Sequence, residues 1–217
     1  MIEREIILLG IEDPGSEELD ATRTRLRGLF AKGATRRMTQ LGLLMGSVLE
    51  PMRASGADTV VYASKYGESR ALRDYLASFP SASPTLFQTS IHPSAVQQVL
   101  VARQQPVREF LPLTGDAQIV AHAAQAALLA PAPSVVFCGG EECIAWSDND
   151  KASSPAAFAF ALLLSNGGAR GLGTLRLEAC DDGAGDLALP AFFAALRGRR
   201  PLDQIAAPGM RLILEWR

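Results

Sequence analysis

Short, unbroken apolar runs punctuate the chain: Ile6-Ile7-Leu8-Leu9, Val60-Val61-Tyr62-Ala63 and Val135-Val136-Phe137-Cys138, closed in turn by Gly10, by Ser64-Lys65-Tyr66-Gly67 and by Gly139-Gly140. Runs of this length bounded by turn chemistry predict strands, and the missing polar alternation predicts burial on both faces, as in the sheet of an α/β protein. By the same reading Glu5–Ile11, Thr59–Ser64, Phe110–Thr114, Ser134–Cys138, Ala156–Leu164, Leu172–Ala179 and Met210–Trp216 are strands. Asn166-Gly167-Gly168 between the fifth and sixth of these predicts a hairpin turn. Between the strands, Met38, Leu41, Leu44, Met45, Val48, Leu49 and Met52 recur at helical spacing, predicting a helix over 35–53 with one apolar face. Gly42 and Gly46 on it would permit close approach of another backbone. Residues 16–32 are charge-rich and predict a solvent-facing helix, with Arg23, Arg25 and Arg27 on a solvated face. Further helices are expected over 69–79, through the apolar run that ends at Ala102, over 117–129 and over 187–196. This order predicts an α/β fold, a mostly parallel sheet flanked by helices with a hairpin near the C-terminus. No linker or change of composition divides residues 1–217, so a single domain is expected.

Composition narrows the function. With 48% apolar residues the chain can bury a large core, and 21 basic against 23 acidic residues leave a formal charge of −2. That balance predicts no long-range attraction to nucleic acid or an anionic membrane. No apolar run approaches the ~20 residues of a membrane span, and Met1-Ile2-Glu3-Arg4-Glu5 has no signal-peptide pattern, so a cytoplasmic location is expected. Cys138, Cys143 and Cys180 include no CxxC pair, which argues against a disulfide framework or a zinc site. Asp148-Asn149-Asp150 lacks the glycine and distal glutamate of a calcium loop, and no nucleotide-binding glycine motif, P-loop, HExxH or GxSxG is present. Neither a cofactor nor a metal is expected.

The chemistry, if any, lies at strand-to-helix junctions, where a helix N-terminus offers free amides and positive potential. Three segments carry a resemblance. Arg36-Arg37-Met38 precedes Val60-Val61-Tyr62-Ala63-Ser64-Lys65-Tyr66-Gly67-Glu68. Ser83-Pro84-Thr85-Leu86-Phe87 is followed by Ser90-Ile91-His92-Pro93. Val135-Val136-Phe137-Cys138 leads into Gly139-Gly140-Glu141-Glu142. In order and spacing these resemble the β-ketoacyl synthase-like N-terminal domain family, and most of all its short, chain-length-factor-like members from aryl polyene-type pathways. The resemblance spans residues 35–142 well and the remainder weakly. Pro93 stands where the family has asparagine.

The resemblance implies a thiolase-like fold, specifically the N-terminal half of a ketosynthase, and a dimer built by pairing the strand that precedes the nucleophile; here that strand contains Pro112, which removes one amide from the ladder. Active members accept an acyl group from an acyl carrier protein on a cysteine at the strand-to-helix junction, assisted by two histidines of a second half. The position equivalent to that cysteine falls at Gly115 and Asp116, neither an acyl acceptor, and Asp116 is suited to cap the helix over 117–129. The second-half histidines have no counterpart, and His122 reads as packing or surface. The candidate pocket or interface residues are Phe87, Ser90, His92, Leu111, Leu113 and Thr114.

These readings imply a non-catalytic, chain-length-factor-like subunit. It would form a heterodimer with a catalytic ketosynthase and support acyl-chain elongation on a carrier protein in a fatty-acid, polyketide or aryl polyene pathway. The alternatives are a small acyl-transferase or thioesterase-type enzyme using Cys138, Cys143 or Ser90 with His92, and a self-associating acyl-binding scaffold.

Overall fold

A computed structural model describes residues 1–115, 117–142, 154, 156–167, 171–181 and 183–217; Asp116, Cys143, Asp148-Asn149-Asp150 and Gly168 lie outside them. The strands are β1 (Ile2–Gly15), β2 (Thr59–Ser64), β3 (Glu109–Thr114), β4 (Ser134–Glu141), β5 (Ala157–Ser165), β6 (Gly173–Ala179), β7 (Leu202–Ala207) and β8 (Met210–Trp216). The helices are α1 (Leu19–Leu26), α2 (Gln40–Leu49), α3 (Ser69–Ala77), α4 (Pro84–Ser90), α5 (Ser94–Ala102), α6 (Ile119–Leu129) and α7 (Leu189–Arg197).

All eight strands form one sheet in the order β3-β2-β4-β5-β1-β6-β8-β7. Only β2 with β3 and β2 with β4 are parallel; the other five pairings are antiparallel. The sheet is therefore mixed, which corrects the mostly parallel expectation. Continuous apolar runs report burial on two faces and say nothing of strand direction. Nor is Asn166-Gly167-Gly168 the turn of a paired hairpin, because β1 inserts between β5 and β6 and bonds to both. The hairpin near the C-terminus is β7–β8, and β7 has no counterpart among the expected strands.

Neighbouring residues of each central strand supply opposite cores, following the two-residue period of a strand. Val61, Ala63, Val135, Phe137, Phe160 and Leu162 join the core under α6 and α7. Val60, Tyr62, Val136, Cys138, Ala159 and Ala161 join the core under α2 and α5. Phe192 of α7 locks onto the first core, stacking on Phe137 at 5.8 Å and meeting Phe160 edge-on at 5.5 Å. The helix expected over 35–53 is shorter: a 3-10 turn (Ala34–Arg37) precedes α2, whose N-cap Thr39 accepts the Gly42 N–H at 3.0 Å. Arg4, 2% exposed, donates to the carbonyls of Leu128, Ala130 and Ala132 and so closes the C-terminal end of α6.

The two sheet edges differ. Beyond β7 the returning chain packs so tightly that a Cβ on Gly185 would come 2.3 Å from the Ile205 carbonyl oxygen, and Gln204 Nε2 donates to Asp186 O. Among the described strands β3 pairs with β2 alone, and half of its residues are exposed. Pro112 is tolerated there because an edge strand can leave one ladder position without a donor.

Candidate functional site

The parallel strands β2, β3 and β4 end side by side at Ser64, Thr114 and Glu141. In α/β proteins this carboxyl edge is where ligand-binding groups collect. A cleft of about 300 Å3 lies there, lined among others by Lys65, Tyr66, Ala117, Ile119, Glu141 and Leu189.

The Gly139-Gly140-Glu141-Glu142 segment builds the edge. A Cβ on Gly139 would sit 2.7 Å from Ala63 O and 2.8 Å from the Phe160 ring, and one on Gly140 would sit 2.5 Å from Phe158 O. Both neighbouring strands thus press on β4 at backbone distance. The glutamates that follow serve as anchors. Glu141 accepts from Lys65 N–H at 2.5 Å and Tyr66 N–H at 3.1 Å, holding the turn between β2 and α3. Glu142 accepts from Leu41 N–H, 3.5 Å away, in the first turn of α2. Each is 1% exposed. Burial raises both to about 7, against the amide hydrogen bonds, which favour the charged forms.

A third buried glutamate completes the pattern. Glu68 Oε1 accepts the Ala95 N–H at 2.8 Å, in the first turn of α5, and Oε2 lies 3.1 Å from His92 Nδ1. The His92 ring stacks on Tyr62 with centroids 5.0 Å apart, and its Nε2 is buried without a hydrogen-bond partner among the described residues. The Tyr62 hydroxyl is fully buried and its acidity suppressed, first by burial and then by the charges of Glu68 and Glu141. Three carboxylates therefore serve three free amide clusters, a structural use of charge that sequence reasoning did not assign. The signal was two adjacent glutamates directly after a wholly apolar strand.

The sequence-predicted positions fall in two places. Leu111, Leu113 and Thr114 lie on the edge strand β3, the leucines half-buried and Thr114 exposed; Gly115 follows, exposed, at the junction to α6. Helix α6 begins at Ile119, two residues later than expected, with Gln118 in the N-cap position; the cap expected of Asp116 lies outside the described residues. Phe87 and Ser90 lie on α4, with Phe87 49% exposed and 5.4 Å from the Tyr75 ring. Ser90 Oγ donates to Phe87 O within its own turn, while His92 Nδ1 faces Glu68. The hydrogen bonds formed by Ser90 and His92 do not join them as a nucleophile–base pair. Cys138 is buried in β4 and its thiol pushed up by desolvation, the opposite of an activated nucleophile. Cys143 lies outside the described residues. His122 is exposed on α6. Among the described residues no group of three metal-binding side chains forms, and no helix is long and apolar enough to cross a membrane.

The site thus lies at the carboxyl edge of a mixed sheet with α6 and α7 on one face and α2 and α5 on the other. No family model matches the chain, and no curated protein matches its sequence. Among solved structures it is similar to a chain in the complex of the ketosynthase ApeO with its chain length factor ApeC from Xenorhabdus doucetiae. That match has 20% identity and a TM-score of 0.69, and covers 99% of this chain and 100% of the other. It is also similar to a ketosynthase from the bacillaene synthase of Bacillus subtilis, at 9% identity and TM-score 0.48, covering 84% of this chain and 42% of that one. A third match is an oxazolomycin ketosynthase domain from Streptomyces albus, at 13% identity and TM-score 0.45, covering 92% of this chain and 60% of that one. The chain spans about half the length of these last two. Its fold is that of the thiolase-like ketosynthases.

Proposed function

We propose that the chain is a non-catalytic, chain-length-factor-like subunit, a single domain over residues 1–217, that pairs with a catalytically complete ketosynthase. It would help to shape the pocket in which an acyl group grows on a carrier protein, in an aryl polyene or related polyketide or fatty-acid pathway. The observation that carries this reading is an apolar face on α3, α4 and the residues just after them that has no partner among the described residues. Leu72, Leu76, Phe79, Phe87 and Ile91 are 37–56% exposed, and Tyr75 holds the face together by packing 5.4 Å from both the Phe79 and the Phe87 rings. Concentrated apolar exposure of this kind marks a protein interface.

Three further observations support it. Strand β3, carrying Leu111, Leu113 and Thr114, leaves an outer edge unpaired among the described strands, which suits pairing across an interface. The junction after β3 carries Gly115 and Asp116 where an acyl acceptor would need a thiol. The solved chain matched over its full length comes from a complex of a ketosynthase with its chain length factor.

Incubation of the purified chain with acyl-carrier thioesters, read by intact mass, tests the non-catalytic half of the proposal. An unchanged mass is expected. Stable acylation of any residue would move the chain among the acyl-transfer enzymes.

A further inference from the structure

A second cavity, of about 190 Å3, opens between α1, the first turn of α2, α3 and α4; Glu142 lines it, while the adjacent Glu141 lines the cleft at the start of α6. Arg23 of α1, Arg36 of the 3-10 turn before α2 and Arg70 of α3 all line it, so three segments of the chain bring arginines to one small space. Its wall also carries Glu142, 1% exposed, whose Oε2 faces Leu41 N–H and whose charge faces Arg70, while Oε1 has no side-chain hydrogen-bond partner among the described residues.

Most other polar groups around the cavity are already used. Thr39 Oγ1 accepts from Gly42, Gln40 Nε2 donates to Glu17 O and to Thr22 Oγ1, and Thr89 Oγ1 donates to Leu86 O. Among the described residues Arg23 keeps a buried Nε without a partner and forms one ion pair, with the almost fully exposed Asp20. Arg36 forms no ion pair among the described residues, and Asp74, on the rim, lies 3.5 Å from Arg73. Buried polar atoms are normally paired, so the unpaired Glu142 Oε1 and Arg23 Nε beside two further arginines mark a place where a ligand completes the set. Guanidinium groups favour oxyanions, which accept their forked donors. A buried carboxylate oxygen favours a group that donates.

We infer that this cavity binds a small organic oxyanion, a phosphate monoester or a carboxylate, that also carries a hydroxyl or an amine. The anionic end lies against Arg23, Arg36 and Arg70, and the donor meets Glu142 Oε1. The cavity is smaller than the roughly 300–1,000 Å3 of drug-sized sites, so the ligand is a compact metabolite-sized molecule. Its walls include α3 and α4, but none of its lining residues belongs to the exposed set Leu72, Leu76, Phe79, Phe87 and Ile91, and the inference does not depend on pairing with a ketosynthase.

The test is calorimetric titration of the full chain with inorganic phosphate, glycerol 3-phosphate and glycolate at matched ionic strength, with potassium chloride as the control. Saturable binding of at least one organic probe is expected, and tighter binding of glycerol 3-phosphate than of phosphate identifies the phosphate-ester arm; tighter binding of glycolate identifies the carboxylate arm. Arg36→Ala, at an exposed position that the fold does not need, should weaken the preferred probe at least tenfold, as should Arg70→Ala. Glu142→Gln should remove the advantage of the ester over inorganic phosphate. No saturable binding of any probe, meaning a water-filled cavity only, would overturn the inference, as would unaltered affinity in folded Arg36→Ala protein.

Discussion

His92 Nδ1 lies 3.1 Å from Glu68 Oε2, and the other oxygen of that carboxylate accepts the Ala95 N–H at 2.8 Å. One fully buried group therefore fixes both an imidazole ring and the first turn of α5. His92 is thus held as part of a wall, stacked on Tyr62. Glu68→Ala should cost about 2–4 kcal/mol, combining a lost helix cap with an unsatisfied buried amide. Ser90→Ala should change stability by no more than about 0.5 kcal/mol, because its hydroxyl bonds only within its own turn. Urea unfolding of both variants checks the contrast, and equal effects would contradict it.

Arg4 is the counterpart at the other end of the chain's polar interior. Its guanidinium donates to three carbonyls, those of Leu128, Ala130 and Ala132, at the C-terminal end of α6. Arg4→Met keeps much of the buried volume and removes every donor. A loss of at least about 3 kcal/mol is expected from denaturant midpoints, and a loss below about 1 kcal/mol would show that water replaces the guanidinium.

Stability should rise on mild acidification. Glu141 and Glu142 titrate at about 7 in the fold against 4.5 for a free glutamate, chiefly because burial disfavours their charge. The native state then binds more protons than the unfolded state between those values. Their favourable contribution is fully present below about 4.5 and is lost as pH rises through about 7. Glu5 and Glu17, held low by Arg217 and Arg25, shift in the opposite sense and have completed their change below this window. Unfolding free energy should be about 1–3 kcal/mol larger near pH 5 than near pH 8. Glu142→Gln should flatten that slope.

At the glycine pair, Gly139→Ala and Gly140→Ala place a Cβ within 2.8 Å of neighbouring strand backbone or the Phe160 ring and should prevent soluble folding. Gly167→Ala, where the nearest atom would be the Ser165 hydroxyl at 3.8 Å, should be neutral. Soluble, wild-type-like Gly139→Ala protein would refute the strand packing around β4.

Much of this architecture was legible from periodicity. The apolar runs at Val60–Ala63 and Val135–Cys138 mark β2 and β4, and the helical spacing of apolar residues from Leu41 to Leu49 marks α2. Strand direction was not legible, since antiparallel β5 and parallel β2 are equally apolar once helices cover both faces. Strand β7 was missed because Asp203 and Gln204 interrupt it on an outer strand with little to bury. The helix expected over 16–32 breaks after Leu26 into a 3-10 turn. At the candidate site, the positions of Phe87, His92 and Leu111 could be placed on elements, but the roles of Glu68, Glu141 and Glu142 depend on contacts between residues as far as 101 positions apart. Such contacts leave no local pattern.

The central claim is tested most directly by the mass of the native assembly. Co-expressed with a catalytically complete ketosynthase of its own organism, the chain should elute as a one-to-one complex, and Leu76→Asp with Phe87→Asp on the exposed α3–α4 face should release it as a folded single chain. A chain that stays apart from that ketosynthase, or a complex indifferent to both substitutions, would contradict the account.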